Sequence, residues 1–173
     1  MNKLILVTGG ARSGKSTYAV KLAKNFKKVA FIATCASPDR EMRIRIKAHR
    51  LSRPKDWKVY EEEVSLAALI KKIGSKYDVI LVDCLGLWVS NLLSVNTSDR
   101  RIKAEVLKMA ESAFKAKAVT VIVSNEVGQG IVPDNPLARK FRDVLGAANQ
   151  LLAHRADKVV SMHVGIPVTI KGG

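Results

Sequence analysis

The sequence predicts a three-layer α/β fold: a mainly parallel β-sheet covered by helices on both faces, with one antiparallel strand added at the C-terminus. Three observations predict it. Short, continuously apolar runs alternate with segments of helical spacing, and strands that are apolar on both faces need covering on both sides. The first run leads straight into a glycine-rich turn that opens a helix, the arrangement of a P-loop nucleoside triphosphatase. Near its C-terminus the chain runs MHVGIPVTIK, two short strand-like runs around Gly165, which reads as a hairpin.

The strand-like runs are KLILVT (3–8), KVAFIA (28–33), DVILVD (78–83), AVTVIVS (118–124) and KVVSMHV (158–164). Helical spacing falls over 15–26, about 38–52, 65–75, 98–117 and 136–155. Ser37 followed by Pro38 suits a helix start, and so does Asp134 or Asn135 followed by Pro136. No linker, low-complexity tract or internal repeat divides the chain, so residues 1–173 are expected to form one nucleotide-binding domain, large enough to bury about two-thirds of the unfolded surface.

Composition narrows the setting without naming a function. Cys35 and Cys84 are the only cysteines and are not spaced for metal or redox work, which fits a reducing, cytoplasmic environment. MNKLILVTGG has a five-residue apolar run leading into glycines rather than a cleavage site, and no window approaches a membrane span. A soluble protein with no stable membrane insertion is expected. Thirty Lys and Arg against fifteen Asp and Glu give a net charge of +15, which favours anionic partners in general. The cations are spread along the chain with few aromatics and no nucleic-acid-binding motif, so nucleic acid is not expected as a partner.

Chemistry is expected beyond the carboxyl ends of the strands, where such sheets bind ligands. Gly9, Gly10, Ala11, Arg12, Ser13, Gly14, Lys15 and Ser16 satisfy G-x-x-x-x-G-K-[ST], with a strand before and a helix after. The glycines let backbone N–H groups curl round phosphate oxygens, Lys15 reaches the outer phosphates, and Ser16 is placed to ligate Mg²⁺. Asp83, ending a neighbouring strand, is the candidate carboxylate on the other side of the metal; the alternative is a cap on the following helix.

His49 stands among Arg43, Arg45, Lys47, Arg50 and Arg53. Met42, Ile46, His49 and Arg53 share helical spacing, which puts the histidine at the edge of an apolar stripe, and a core-edge or surface role is the plain reading. The functional reading is that neighbouring cations disfavour imidazolium, pushing the pKa below its ordinary value of about 6.5. A neutral imidazole is a nucleophile, and the same cations stabilise charge on a transferring phosphate and a departing pyrophosphate.

The ordered series LVTGGARSGKS, IAT, RIxxHRxxRPxxW ending at Trp57, VDCLGLWVSNLL and SNEVGQGIVPDNPLARKFRDVLGAANQ resembles the bifunctional adenosylcobinamide kinase and adenosylcobinamide-phosphate guanylyltransferase family over nearly the whole chain. The P-loop is generic, whereas the SNEVGxGIVP block and the helix after it are specific. The resemblance implies a RecA-like P-loop domain, a homotrimer, and two reactions using ATP and GTP as substrates with Mg²⁺. The first phosphorylates adenosylcobinamide; the second transfers GMP from GTP to adenosylcobinamide phosphate through a guanylylated histidine, which falls on His49. It also implies that Ala33, Thr34 and Cys35 line the nucleotide site and that His49, Arg50, Leu51, Ser52 and Glu61 contact the guanine nucleotide. A carboxylate at Glu61 suits the N1–H and amine edge of guanine, although Glu62 and Glu63 follow it and a solvated acidic run reads equally well.

In the specific block, Gly128 and Gly130 are expected to permit tight turns, with Glu126 at the catalytic rim. Arg139, Arg142 and Asp143 are candidates for substrate binding, a subunit contact or structural ion pairs, and His154 and His163 are expected to be structural. Gly86 stands where the family pattern has threonine, and Glu63 where a proline often follows the glutamates. Two other readings remain: a P-loop kinase of a small metabolite with a structural His49, and a basic nucleotide-dependent RNA-binding ATPase.

Overall fold

A computed structural model of the 173-residue chain describes residues 3–35 and 54–172. The elements run β1 (Leu4–Gly9), α1 (Lys15–Ala23), β2 (Val29–Ala33), β3 (Lys58–Glu61), α2 (Leu66–Ile73), β4 (Val79–Asp83), α3 (Leu85–Ser94), α4 (Asp99–Lys115), β5 (Val119–Val123), α5 (Pro136–Arg155), β6 (Lys158–His163) and β7 (Ile166–Lys171). They build a seven-stranded sheet in the order β3-β2-β4-β5-β1-β6-β7, parallel throughout except for β7 against β6.

The apolar runs are continuous because each strand supplies two cores. Ile80 and Val82 of β4 face one, Val79 and Leu81 the other; Ala30 and Ile32 of β2 oppose Val29 and Phe31 in the same way. The larger core is closed by α2, α3, α4 and α5 through Leu66, Ile70, Trp88, Ile102, Met109 and Leu145. Among the described residues, the second face is covered by Ala19 and Ala23 of α1 and by Trp57.

Two elements lie outside the sequence expectations. The helix α3 was hidden because LGLWVSNLLS is apolar nearly all round and carries no amphipathic period; six of its ten residues are buried. The edge strand β3 has only four mostly exposed residues and no apolar run to announce it. The expected C-terminal hairpin is present, with left-handed Val164 (φ 45°) and Gly165 (φ 87°) at its turn. The expected helix over about 38–52, with His49, lies outside the described residues.

Helix starts follow local chemistry. Asn135 Oδ1 accepts from Leu137 N (2.8 Å) and Ala138 N (3.1 Å), with Pro136 opening α5. Ser98 Oγ accepts from Arg101 N at 3.4 Å before α4. Cys84, rather than Asp83, occupies the cap position of α3, and its side chain makes no capping hydrogen bond.

Candidate active site

Strand register brings the candidate groups to one rim. Glu61 pairs with Ala33, Ala33 with Asp83, and Asp83 with Val123, a row of strand ends across β3, β2, β4 and β5. Glu61 therefore stands two strand spacings, about 10 Å, from Asp83 along the row. The P-loop leaves β1, which lies between β5 and β6.

The loop itself is built by conformations few residues adopt. Gly9 (φ 147°), Arg12 (φ 56°) and Gly14 (φ 92°) have positive φ, and Lys15 opens α1. A Cβ on Gly9 would lie 2.6 Å from the Met162 carbonyl oxygen and 2.8 Å from Ser13 Oγ, so glycine is required there by space as well as by φ. Two neighbours brace the loop: Gly165 N donates to Ser13 O (3.1 Å), and Glu126 N donates to Gly9 O (2.9 Å). The β6–β7 turn and the segment after β5 thus flank the phosphate cradle.

Lys15 is 7% exposed and its Nζ donates to Gly10 O at 2.6 Å, arching across the loop it serves. Burial pushes its ammonium below the usual lysine range, while Cys84 and Asp83 act in the opposite direction. That influence places the end of β4 within electrostatic reach of the P-loop lysine. A desolvated cation at a helix N-terminus is poised for phosphate, a stronger acceptor than a carbonyl. Ser13 Oγ is buried with no hydrogen-bond partner among the described residues.

Of the residues expected to hold a cation, Ser16 carries its hydroxyl in the first turn of α1 and Asp83 its carboxylate at the end of β4. Both are hard oxygen donors, which fits Mg²⁺ and its habit of taking remaining ligands from phosphate and water. Among the described residues, no three His, Cys, Asp or Glu side chains converge to hold a metal by themselves.

Thr34 is fully buried and its polar groups are engaged within the protein. Oγ1 donates to Cys84 O (2.7 Å) and accepts from Cys84 N (2.9 Å), its N–H donates to Asp83 O (3.3 Å), and its carbonyl accepts from Asn91 Nδ2 (2.7 Å). Asn91 Nδ2 also reaches Glu63 O (3.1 Å), and Trp88 Nε1 donates to Val64 O (2.8 Å). The unforeseen helix α3 thereby ties down the segment that follows Glu61. The signal for it was a lone amide inside the apolar stretch LWVSNLL. Ala33 and Cys35 flank Thr34 at the end of β2, both partly exposed.

The block after β5 is held from α5. Ser124 Oγ donates to Asn149 Oδ1 (2.5 Å), and Asn149 Nδ2 donates to Asn125 O (3.0 Å). Arg139 Nη1 donates to Pro133 O (2.8 Å) and Asp134 O (2.7 Å), fastening the loop to the helix it precedes. Arg142 pairs with the adjacent Asp143 (3.0 Å), and His163 Nε2 is 2.8 Å from Ser161 Oγ. Neither Gly128 nor Gly130 has the positive φ that would demand glycine; Gly128 N instead donates to Glu126 Oε1 (2.7 Å) in a local turn. A Cβ on Gly86 would meet Asn125 at 3.5 Å and Leu145 at 3.6 Å, ordinary contacts that leave room for a side-chain carbon. His49, Arg50, Leu51 and Ser52 lie outside the described residues.

A profile of the cobinamide kinase / cobinamide phosphate guanyltransferase family matches residues 5–170. The chain belongs to that family. It is 41% identical to the bifunctional adenosylcobalamin biosynthesis protein CobU of Salmonella typhimurium and 39% identical to CobU of Escherichia coli, with 97% of this chain and 99% of each relative covered. The bifunctional adenosylcobalamin biosynthesis protein CobP of Pseudomonas aeruginosa is 38% identical, with 96% of each chain covered. The cobinamide kinase and guanyltransferase family pattern thus runs from Ile5 in β1 to Ile170 in β7.

Proposed function

We propose that this protein is a bifunctional enzyme of adenosylcobalamin biosynthesis that phosphorylates adenosylcobinamide and then transfers GMP from GTP to adenosylcobinamide phosphate, giving adenosylcobinamide-GDP and pyrophosphate. Family membership over residues 5–170 carries the reading, and the braced P-loop with buried Lys15 supplies the phosphate chemistry. In the kinase step the P-loop amides and Lys15 hold the triphosphate and stabilise charge on the γ-phosphoryl group as the substrate hydroxyl attacks. ATP or GTP serves as donor. Mg²⁺, held by Ser16 and Asp83, would neutralise phosphate charge.

In the second step a neutral His49 imidazole nitrogen attacks the α-phosphorus of GTP, the bond to the β-phosphate oxygen breaks, and pyrophosphate departs. The phosphate of adenosylcobinamide phosphate then attacks the guanylyl group and restores the histidine. Arg50, Leu51, Ser52 and Glu61 form the guanine nucleotide contacts, with Ala33 and Cys35 at the adjoining strand end. Exposed Ile131, Val132 and Val164, on the two segments that flank the P-loop, offer apolar surface to a corrin ring. The working form is a cytoplasmic homotrimer; among the described residues no helix is long and apolar enough to cross a membrane.

The test is intact-mass measurement after incubation with Mg²⁺ and GTP. A GMP-sized addition to the native protein that is absent from His49→Ala is expected. Absence of the addition while GTP is bound would reduce the activity to the kinase step and make His49 structural.

A further inference from the structure

The main chain at the end of β4 is held by the residue that follows β2, its neighbour in the sheet. Thr34 uses both capacities of one hydroxyl on a single residue: Oγ1 donates to Cys84 O at 2.7 Å and accepts from Cys84 N at 2.9 Å. Its own N–H donates to Asp83 O at 3.3 Å, so three hydrogen bonds with Thr34 hold the Asp83–Cys84 peptide and the Cys84 carbonyl, the main chain directly after the Asp83 side chain. Asn91 Nδ2, donating to Thr34 O at 2.7 Å, anchors the grip to α3. The side chain of Thr34 is fully buried, so its hydroxyl presents no surface to a nucleotide.

We propose that Thr34, clasped on Cys84 and anchored by Asn91, is a positioning residue that sets the direction of the Asp83 carboxylate toward the phosphate and metal side of the P-loop. The physical reason is the local chain geometry. Cys84 N–H lies past the sheet register of β4 and ahead of the first turn of α3, and the Thr34 hydroxyl is the acceptor it has there. Replacing that hydroxyl with a methyl of the same shape leaves a buried N–H without its partner and frees the peptide that orients Asp83. Partners one step behind a ligand commonly change metal affinity by about 10–100-fold when removed.

The inference rests on Asp83 being the metal-side carboxylate, and the experiment separates the two. Mn²⁺ binding would be followed by electron paramagnetic resonance in the full chain loaded with a non-hydrolysable GTP analogue, for Thr34→Val, Thr34→Ser, Asn91→Ala and Asp83→Asn. Metal-free affinity for the analogue would be measured alongside. We expect Thr34→Val to weaken Mn²⁺ binding about tenfold, Thr34→Ser to restore it, and metal-free nucleotide affinity to stay within about twofold. Asn91→Ala, at a partly exposed helix position, is expected to weaken Mn²⁺ binding severalfold and carries the test if Thr34→Val does not fold. Native Mn²⁺ affinity in Thr34→Val or Asn91→Ala, beside a weakened Asp83→Asn, would overturn the positioning role alone. Lost metal-free nucleotide affinity in Thr34→Val would make Thr34 a nucleotide contact instead, and native Mn²⁺ affinity in Asp83→Asn would remove both the carboxylate's role and the proposal.

Discussion

Gly9→Ala is the sharpest perturbation of the phosphate cradle that leaves its charged groups untouched. The added Cβ would sit 2.6 Å from the Met162 carbonyl oxygen, well inside the 3.4 Å at which ordinary contact begins, and 2.8 Å from Ser13 Oγ. The carbonyl belongs to β6, so relief requires β1 and β6 to part or the loop to shift. Overpacking of this kind costs about 1–3 kcal/mol, and the positive φ of 147° adds strain of about 1–3 kcal/mol for a side-chain-bearing residue. Together they give about 2–6 kcal/mol, and each kcal/mol lowers the midpoint of a chain this size by roughly 2–4 °C. Thermal denaturation should show a fall of about 4–24 °C, and GTP affinity should drop more than tenfold because the loop wall that holds the phosphates has moved. Gly10→Ala is the control: nothing lies within 4 Å of its Cβ, and its midpoint should stay within about 2 °C of the native value. A Gly9→Ala protein with native midpoint and native GTP affinity would refute the claim that the cradle depends on contact between the P-loop and β6.

Lys15→Met should abolish triphosphate turnover by about two orders of magnitude or more while leaving the thermal midpoint unchanged or raised, since burial opposes the ammonium that the substitution removes; steady-state kinetics and calorimetry read the two effects. Cys84 should resist alkylation in the folded protein, because burial first and Asp83 second push its thiol up to about 12; peptide mass mapping after iodoacetamide at pH 8 would show it unmodified. The same shift has a stability consequence with a defined sign: the folded pKa lies above the unfolded value, so its contribution is complete below about pH 9 and is lost as pH rises toward about 12. Denaturant midpoints across that window should fall. Asn149→Ala breaks two hydrogen bonds that fasten the end of β5 to α5 and should cost about 1–3 kcal/mol in urea unfolding.

The parallel sheet, the P-loop after β1, the terminal hairpin and Asp83 at a strand end were all legible in the sequence. These features are written locally: apolar runs fed by period-two burial, glycines where φ turns positive, and Asn135 and Pro136 opening a helix. Its family resemblance also named the chemistry, since the block after β5 is distinctive as text. That Cys84 rather than Asp83 stands at the cap position of α3 was decided by the fold. Other features depended on residues far apart in the chain. Whether Glu61, Ala33 and Asp83 share a rim follows from strand register, which links residues separated by dozens of positions through backbone hydrogen bonds that no side-chain pattern spells out. The clasp of Thr34 on Cys84, the anchoring of both by Asn91, and the pressing of the β6–β7 turn onto Ser13 arise in the same way. Burial decided the rest, because the pKa shifts of Lys15 and Cys84 come from surroundings that exist only once α1, α3 and the sheet have closed around them.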